Sequence, residues 1–238
     1  MSNKPQRLTK KQKRLLNNGN FEVYNNFQLL DIIPLTVNQR KTFEAFHAGK
    51  NLFLHGVAGT GKTFISIYLS LKELEKQNYE RIIIYRSTVP SRDMGFLPGN
   101  VREKTRVYES PYQGIFQRLY NRGDAYEVLK QKGLVEFEST AYIRGITIDD
   151  AVVIVDESQN LNWQEIYSIV TRMGNNCRII ICGDYRQTDL TKEQSGILKL
   201  SQIIKRMDEF APVEFEIEDI VRSPFVKKFI MACYAEGM

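Results

Sequence analysis

The residues best suited to chemistry form one glycine-rich segment, Gly56-Val57-Ala58-Gly59-Thr60-Gly61-Lys62-Thr63. Its Gly-x-x-x-x-Gly-Lys-Thr spacing fits a phosphate-binding loop, with a strand expected before it and a helix after it. Glycines allow a tight turn whose backbone N–H groups face phosphate oxygens, and the helix N-terminus adds partial positive charge. We therefore expect nucleotide binding, with Lys62 bridging the β- and γ-phosphates and Thr63 ligating Mg²⁺. The alternative is a chance match on an unrelated strand–turn–helix.

Two carboxylates follow the apolar segment Ala151-Val152-Val153-Ile154-Val155. Open α/β sheets place their chemistry at the carboxyl ends of the strands, which is where Asp156 and Glu157 would lie. We expect Asp156 to hold Mg²⁺ through its hydration shell and Glu157 to orient and polarise the attacking water. The alternative is that these acidic residues only stabilise a helix N-terminus by interacting with its dipole. A complete phosphate-binding loop elsewhere in the chain weighs against this alternative.

A third apolar segment, Ile179-Ile180-Ile181-Cys182, ends in Gly183-Asp184-Tyr185-Arg186-Gln187. The amide of Gln187 could reach the γ-phosphate and position water, a role that glutamine has in several NTPases. A structural turn with polar surface residues is the alternative.

The elements that must position these motifs alternate between strands and helices. Apolar runs predict strands, and amphipathic spacing predicts helices, one of them capped by Thr36. The strands are 51–55, 81–85, 151–155 and 178–182, and the helices are 36–48, 63–76, 163–173 and 192–207. This order predicts a single α/β domain of the P-loop NTPase kind, with a mostly parallel sheet and helices on both faces.

The region 87–149 breaks this alternation with several proline and glycine residues, so we expect a loop-rich insertion there. Four aromatic residues in it follow a spacing of four: Tyr108, Tyr112, Phe116 and Tyr120. They could stack on nucleic-acid bases. A packed aromatic face on a helix is the stronger interpretation of that spacing.

The positive charge is concentrated at the N-terminus. The first fourteen positions contain six basic residues and no acidic ones, whereas the rest of the chain contains 27 basic and 28 acidic residues. We treat 1–20 as a basic, flexible arm and 21–238 as the folded domain. The arm is either a solvated tail or a contact for the phosphates of RNA or single-stranded DNA.

Other features narrow the class of protein. No apolar run approaches the about 20 residues that a membrane helix needs, so we expect no membrane partner. Three cysteines and two histidines show no metal-ligand spacing and no disulfide framework. A reducing, cytoplasmic setting is the expectation.

Taken together, these motifs resemble the PhoH family and, more distantly, the first motor lobe of superfamily 1 helicases. The resemblance covers 35–238 and includes Gly95-Phe96-Leu97-Pro98-Gly99, Ala141-Tyr142-Ile143-Arg144-Gly145 and Glu218-Asp219-Ile220-Val221-Arg222. It implies an ATPase with one RecA-like core, linked in some relatives to RNA handling. It also implies that Gln39 reads the adenine edge, although on the residues alone Gln39 is only an exposed amide on a short helix.

ATP hydrolysis of this type gains roughly 10³ to 10⁵ in rate from an arginine that neutralises the transferring phosphate. A helicase supplies that arginine from a second lobe, for which this chain is too short. The candidates are Arg144 and Arg222, with Arg86 a weaker third, acting within the chain or from a neighbouring subunit. We therefore expect a homo-oligomer, a hexameric ring, with active sites at subunit boundaries.

The expected function is a Mg²⁺-dependent ATPase, coupled to RNA or single-stranded DNA through the arm and the 87–149 region. One alternative is a nucleotide-dependent assembly switch without motor activity. Another is a small-molecule kinase, against which Glu157 weighs because it favours water as the acceptor. No guanine-reading Asn-Lys-x-Asp occurs, which favours ATP over GTP.

Overall fold

The computed structural model of the chain describes residues 27–87, 101–140, 147–184 and 195–236, with 101–106 described by their backbone alone. These residues form one sheet and seven α-helices. The strands are β1 Asn51–Gly56, β2 Arg81–Arg86, β3 Val135–Ser139, β4 Ala151–Asp156, β5 Cys177–Gly183 and β6 Phe210–Phe215. The helices are α1 Val37–His47, α2 Lys62–Glu75, α3 Val101–Tyr120, α4 Ala125–Gln131, α5 Trp163–Val170, α6 Ile197–Ile204 and α7 Pro224–Ala235.

All six strands are parallel, in the order β3-β2-β4-β5-β1-β6. The strand before the glycine-rich loop, β1, is therefore separated from the strand before the carboxylate pair, β4, by β5. In a parallel sheet the carboxyl ends of all strands lie at the same end of the sheet, where ligands bind. The sheet thus brings the three predicted motifs to its carboxyl end.

Helices cover both faces of the sheet, because alternate strand residues are buried on opposite sides. Leu52, Ile82, Val152 and Ile180 pack with α1 to α4 in one core. Phe53, Ile83, Val153 and Ile181 pack with α5 and α6 in the other. The predicted α/β class, with a parallel sheet and helices on both faces, is confirmed. No helix among the described residues is long and apolar enough to cross a bilayer.

The prediction that 87–149 is loop-rich is wrong for the described part, which contains α3, α4 and β3. Proline and glycine suggested a broken chain, yet Pro111 lies inside α3. A proline in a helix costs about 3 kcal/mol, and burial of an apolar face can outweigh that cost. Tyr112 and Phe116 are fully buried and Tyr120 is 6% exposed. The packed-face interpretation of these aromatics is therefore confirmed.

Candidate functional site

The glycine-rich loop begins where β1 meets the neighbouring strand β6. Gly56 has a φ of +109°, and a Cβ placed there would lie 2.1 Å from the backbone oxygen of Phe215. Val57 then donates its N–H to that oxygen at 2.9 Å. Only glycine allows this close approach of two strands. The start of the loop is thus fixed to the sheet.

The other end of the loop is the N-terminus of α2. Gly61 caps α2 in the left-handed region with a φ of +87°, and no side chain caps the helix there. The buried Thr60 donates its hydroxyl to the Val57 oxygen at 3.0 Å, which closes the turn. Uncapped N–H groups at the start of a helix form a ready anion site. This geometry suits a phosphate group.

The ammonium group of Lys62 lies over the loop. Its Nζ donates to the backbone oxygens of Gly56 and Val57, each at 2.8 Å. Burial lowers the pKa of Lys62, against the opposing effect of nearby acidic groups led by Asp184. A partly desolvated cation interacts strongly with a phosphate because water does not screen it.

Thr63 and Asp156 are in contact at the carboxyl end of the sheet. The Thr63 hydroxyl donates to Oδ1 of Asp156 at 2.8 Å. Asp156 is 4% exposed. Burial and the neighbouring Glu157 raise the pKa of Asp156, partly offset by hydrogen bonds from Tyr112 and Thr63.

These donors fit a magnesium ion. Mg²⁺ takes oxygen ligands and is usually held by one or two carboxylates together with substrate phosphates. The Thr63 hydroxyl and the Asp156 carboxylate supply two such oxygens beside the anion-binding turn. The residues present therefore suit the metal that the sequence predicts.

Glu157 begins the short 3-10 turn Ser158–Asn160 in a left-handed conformation, with a φ of +50°. Its Oε2 accepts from Nε2 of Gln159 at 2.6 Å. Gln159 also accepts the backbone N–H of Asp184 at 3.0 Å through its Oε1. Gln159 thus links the carboxylate of Glu157 to the end of β5.

Close packing holds the end of β5 against this turn. A Cβ on Gly183 would lie 2.4 Å from Oγ of Ser158. The absence of a side chain at Gly183 thus allows the second and third predicted motifs to meet.

Two side chains that the sequence did not assign to the metal site complete its surroundings. The Tyr112 hydroxyl donates to Oδ2 of Asp156 at 2.8 Å. Arg86, at the end of β2, is the register partner of Asp156, and its charge acts on Tyr112 and on the carboxylate pair. The spacing of the aromatic residues was visible in the sequence, but the neighbouring residues did not show which of them contacts the carboxyl end of the sheet.

Gln39 is buried, 4% exposed, so the expectation of an exposed amide is wrong. Its side chain accepts the N–H of Leu35 at 2.8 Å and donates to the backbone oxygen of Thr60 at 2.9 Å. These bonds anchor α1 to the phosphate loop. The adenine-reading role remains a prediction.

The segment after β6 also meets the loop. Val221 donates its N–H to the Gly59 oxygen at 3.1 Å. A Cβ on Gly59 would lie 3.0 Å from Cγ of Arg222. Asn38 donates to Asp219 at 2.7 Å, which holds this segment against α1. Arg222 therefore lies beside the phosphate loop of its own chain.

These parts line one cleft of about 710 Å³. It brings together the predicted residues Gln39, Lys62, Thr63, Arg86, Asp156, Glu157 and Arg222, and it is also lined by Tyr112, Arg118 and Asp184. Gln187 and Arg144 lie outside the described residues, as do the N-terminal arm 1–20 and the Gly95–Gly99 segment.

The phosphate loop, the carboxylate pair and the parallel sheet define the class of protein: a nucleotide-binding P-loop NTPase domain. Residues 31–234 match the family described as PhoH-like protein, and the chain belongs to this family. The predicted resemblance to the PhoH family is confirmed.

Named relatives agree with that assignment. The chain is 34% identical over 213 residues to "PhoH-like protein" of Bacillus subtilis (strain 168), covering 89% of this chain and 66% of the relative. It is 35% identical over 195 residues to "Protein PhoH" of Escherichia coli (strain K12), covering 79% of this chain and 54% of the relative. The chain thus spans between about half and two thirds of the length of these relatives.

Among solved structures, the large terminase from a thermophilic bacteriophage is similar, with 11% identity and a TM-score of 0.49. The similarity covers 83% of this chain and 50% of the terminase chain.

Proposed function

We propose that this chain is a Mg²⁺-dependent ATPase. The observation that carries the proposal is the contact between Thr63 and Asp156, 2.8 Å apart, beside the half-buried side chain of Lys62. Two metal-ligating oxygens, a cation and an anion-binding turn in one cleft are the parts that phosphoryl transfer requires.

Each side chain has a distinct role in this proposal. Backbone N–H groups of 58–63 and the Lys62 ammonium bind the phosphates, and Thr63 and Asp156 would hold the metal. When bound, Mg²⁺ neutralises charge that develops on the phosphate oxygens. Glu157, held by Gln159, orients the attacking water and polarises it.

Water as the acceptor distinguishes this proposal from a small-molecule kinase. Glu157 is the residue after the metal-holding Asp156, and it lines the same cleft as the phosphate loop. A carboxylate beside the transferring phosphate suits activation of water. The kinase alternative therefore has no observation in its favour among the described residues.

The arginine that neutralises the transferring phosphate has two proposed sources, the same chain (in cis) and a neighbouring subunit (in trans). The contact of Arg222 with Gly59 supports a cis role in this chain. Arg86, which also lines the cleft, is the second cis candidate. A trans arginine, Arg144 among the candidates, belongs to the homo-oligomer that we also propose, with a hexameric ring as its expected form.

A nucleotide-dependent assembly switch is the second candidate function, and one observation favours it. Helix α7 has no buried residue, and it exposes Phe225 (78%) and Phe229 (62%). Ile230 of this helix lies 3.7 Å from the position of a Cβ on Gly59. An apolar helix beside the phosphate loop could change subunit contacts when nucleotide binds.

Phosphate release from ATP and from GTP, with Mg²⁺ and with EDTA, tests the leading proposal. We expect Mg²⁺-dependent release with a preference for ATP, in line with the proposed adenine contact of Gln39. Adding RNA or single-stranded DNA tests the proposed coupling to nucleic acid through the basic arm. Nucleotide-dependent assembly without phosphate release would support the switch and overturn the ATPase.

A further inference from the structure

Both oxygens of the Asp156 carboxylate are held by hydroxyl groups. Oδ1 accepts from Thr63 and Oδ2 accepts from Tyr112, each at 2.8 Å. Thr63 belongs to the phosphate loop, whereas Tyr112 comes from the middle of α3 and is fully buried. The carboxylate is thus fixed from two separate parts of the chain.

The ring of Tyr112 has a definite position. Its centroid lies 5.6 Å from that of Phe137 on β3, in the core between α3 and the sheet. A buried phenol must find a hydrogen-bond partner, because an unpaired hydroxyl costs about 1–3 kcal/mol. Burial and the charge of Asp156 raise the pKa of Tyr112 well above its usual range. In this structure the Tyr112 hydroxyl is the hydrogen-bond donor to Asp156.

Arg86 sets the direction of this bond. Its guanidinium lies next to the Tyr112 hydroxyl, and each group shifts the pKa of the other. A guanidinium can only donate, so toward Arg86 the tyrosine oxygen can act only as an acceptor, which leaves its proton for Asp156. Burial opposes the charge of Arg86, but Tyr112 and the nearby carboxylates outweigh it and raise its pKa.

We propose that Tyr112 is a positioning residue that aligns the Asp156 carboxylate for Mg²⁺, with Arg86 orienting its hydroxyl. The inference rests on the proposed function. Mg²⁺ demands near-ideal octahedral geometry, so an error in carboxylate orientation weakens its binding. Partners that orient metal ligands are worth about 10- to 100-fold in metal affinity or activity.

Tyr112→Phe separates positioning from packing, since it keeps the ring beside Phe137 and removes only the hydroxyl. Tyr126→Phe is the matched control. Tyr126 is 1% exposed and its hydroxyl donates to the buried Glu109 at 2.9 Å, also in a helical layer but away from the cleft. Both variants lose one buried bond between a phenol and a carboxylate.

Calorimetry of ADP binding in Mg²⁺ and in EDTA gives a readout that does not depend on turnover. For Tyr112→Phe we expect the Mg²⁺ concentration for half-maximal binding to rise about tenfold or more, with binding in EDTA unchanged. The kcat should fall at low Mg²⁺, with little change in the KM for nucleotide at saturating Mg²⁺. Tyr126→Phe should leave all of these values at those of the unmutated chain.

The outcomes keep the two proposals apart. If the unmutated chain binds nucleotide equally in Mg²⁺ and in EDTA, the metal-dependent function and the positioning role both fall. If the unmutated chain shows Mg²⁺ dependence, and Tyr112→Phe needs the same Mg²⁺ concentration as the unmutated chain, only the positioning role is overturned.

A second measurement covers a variant that fails to fold. The residue 3-fluorotyrosine at position 112 keeps the hydroxyl and supplies a ¹⁹F resonance. This resonance should shift when Mg²⁺ joins bound ADP and stay in place with ADP and EDTA. An unchanged resonance in Mg²⁺ would overturn the positioning role.

Discussion

The side-chain amide of Gln159 donates to the Glu157 carboxylate at 2.6 Å. The orientation of that amide is determined by the backbone N–H of Asp184, which requires the amide oxygen on its own side. The nitrogen must therefore face Glu157. The end of β5 thus controls the direction of the carboxylate that we propose to act on water.

Gln159→Met should reduce turnover while leaving nucleotide affinity near that of the unmutated chain. Glu157 would lose its orienting donor, and misplacement of a catalytic group costs about 10- to 100-fold in kcat. The N–H of Asp184 would also lose its hydrogen bond to Gln159, which should lower the free energy of unfolding by about 1–3 kcal/mol. Steady-state kinetics and denaturant unfolding measure the two effects separately.

Gln113→Met is the control for this change. Gln113 also donates to a carboxylate, that of Glu127, at 3.0 Å, but on the surface. Its replacement should alter neither kcat nor stability by much. Equal kcat values for Gln159→Met and the unmutated chain would contradict the orienting role.

The central strands could be predicted from the sequence because both of their faces are buried. Strands β1, β2, β4 and β5 lie inside the sheet and read as continuous apolar runs. The missed strands, β3 and β6, are the two edges of the sheet. An edge strand alternates buried and exposed residues, and Pro212 within β6 further weakens its strand pattern.

The candidate site likewise combines motifs that are local in the sequence with contacts between residues that are distant in the sequence. The phosphate loop and the carboxylate pair are local patterns, so their residues could be named in advance. The contact of Tyr112 with Asp156 joins residues 44 positions apart through the packing of α3. Because spacing alone does not show how a helix docks on a sheet, that contact required the structure.

Lys62→Ala should weaken nucleotide binding by at least about a hundredfold, since hydrogen bonds to charged groups contribute about 1.5–3 kcal/mol each. Stability without nucleotide should be kept or raised, because burial disfavours the charged form of Lys62 and lowers its pKa. Calorimetry and thermal unfolding check both points.

Lys72→Ala, on the same helix α2, is the control. Lys72 pairs with Asp31 at 2.8 Å on the surface, away from the loop. Nucleotide affinity should match that of the unmutated chain. A similar loss of affinity in both variants would mean that the helix as a whole, and not Lys62, decides binding.

Glu157→Gln should preserve nucleotide binding and slow phosphate release by about 10²- to 10⁴-fold, the usual contribution of a general base. The amide has the same shape and its oxygen can still accept from Gln159. Glu165→Gln, which alters the capping box of α5, is the control and should change stability only. Phosphate release by Glu157→Gln at the unmutated rate would show that another residue activates water.

Gly56→Ala should destabilise the fold by more than about 2 kcal/mol, since the new methyl group would lie 2.1 Å from the Phe215 oxygen in a left-handed backbone. The strands β1 and β6 would have to separate at the start of the phosphate loop.

Gly114→Ala is the opposite case. Nothing lies within 4 Å of a Cβ there, and alanine favours a helix over glycine by about 0.5–1 kcal/mol, so α3 should gain stability. Denaturant unfolding of the two variants should therefore give changes of opposite sign, and a stable Gly56→Ala variant would contradict the tight junction between the two strands.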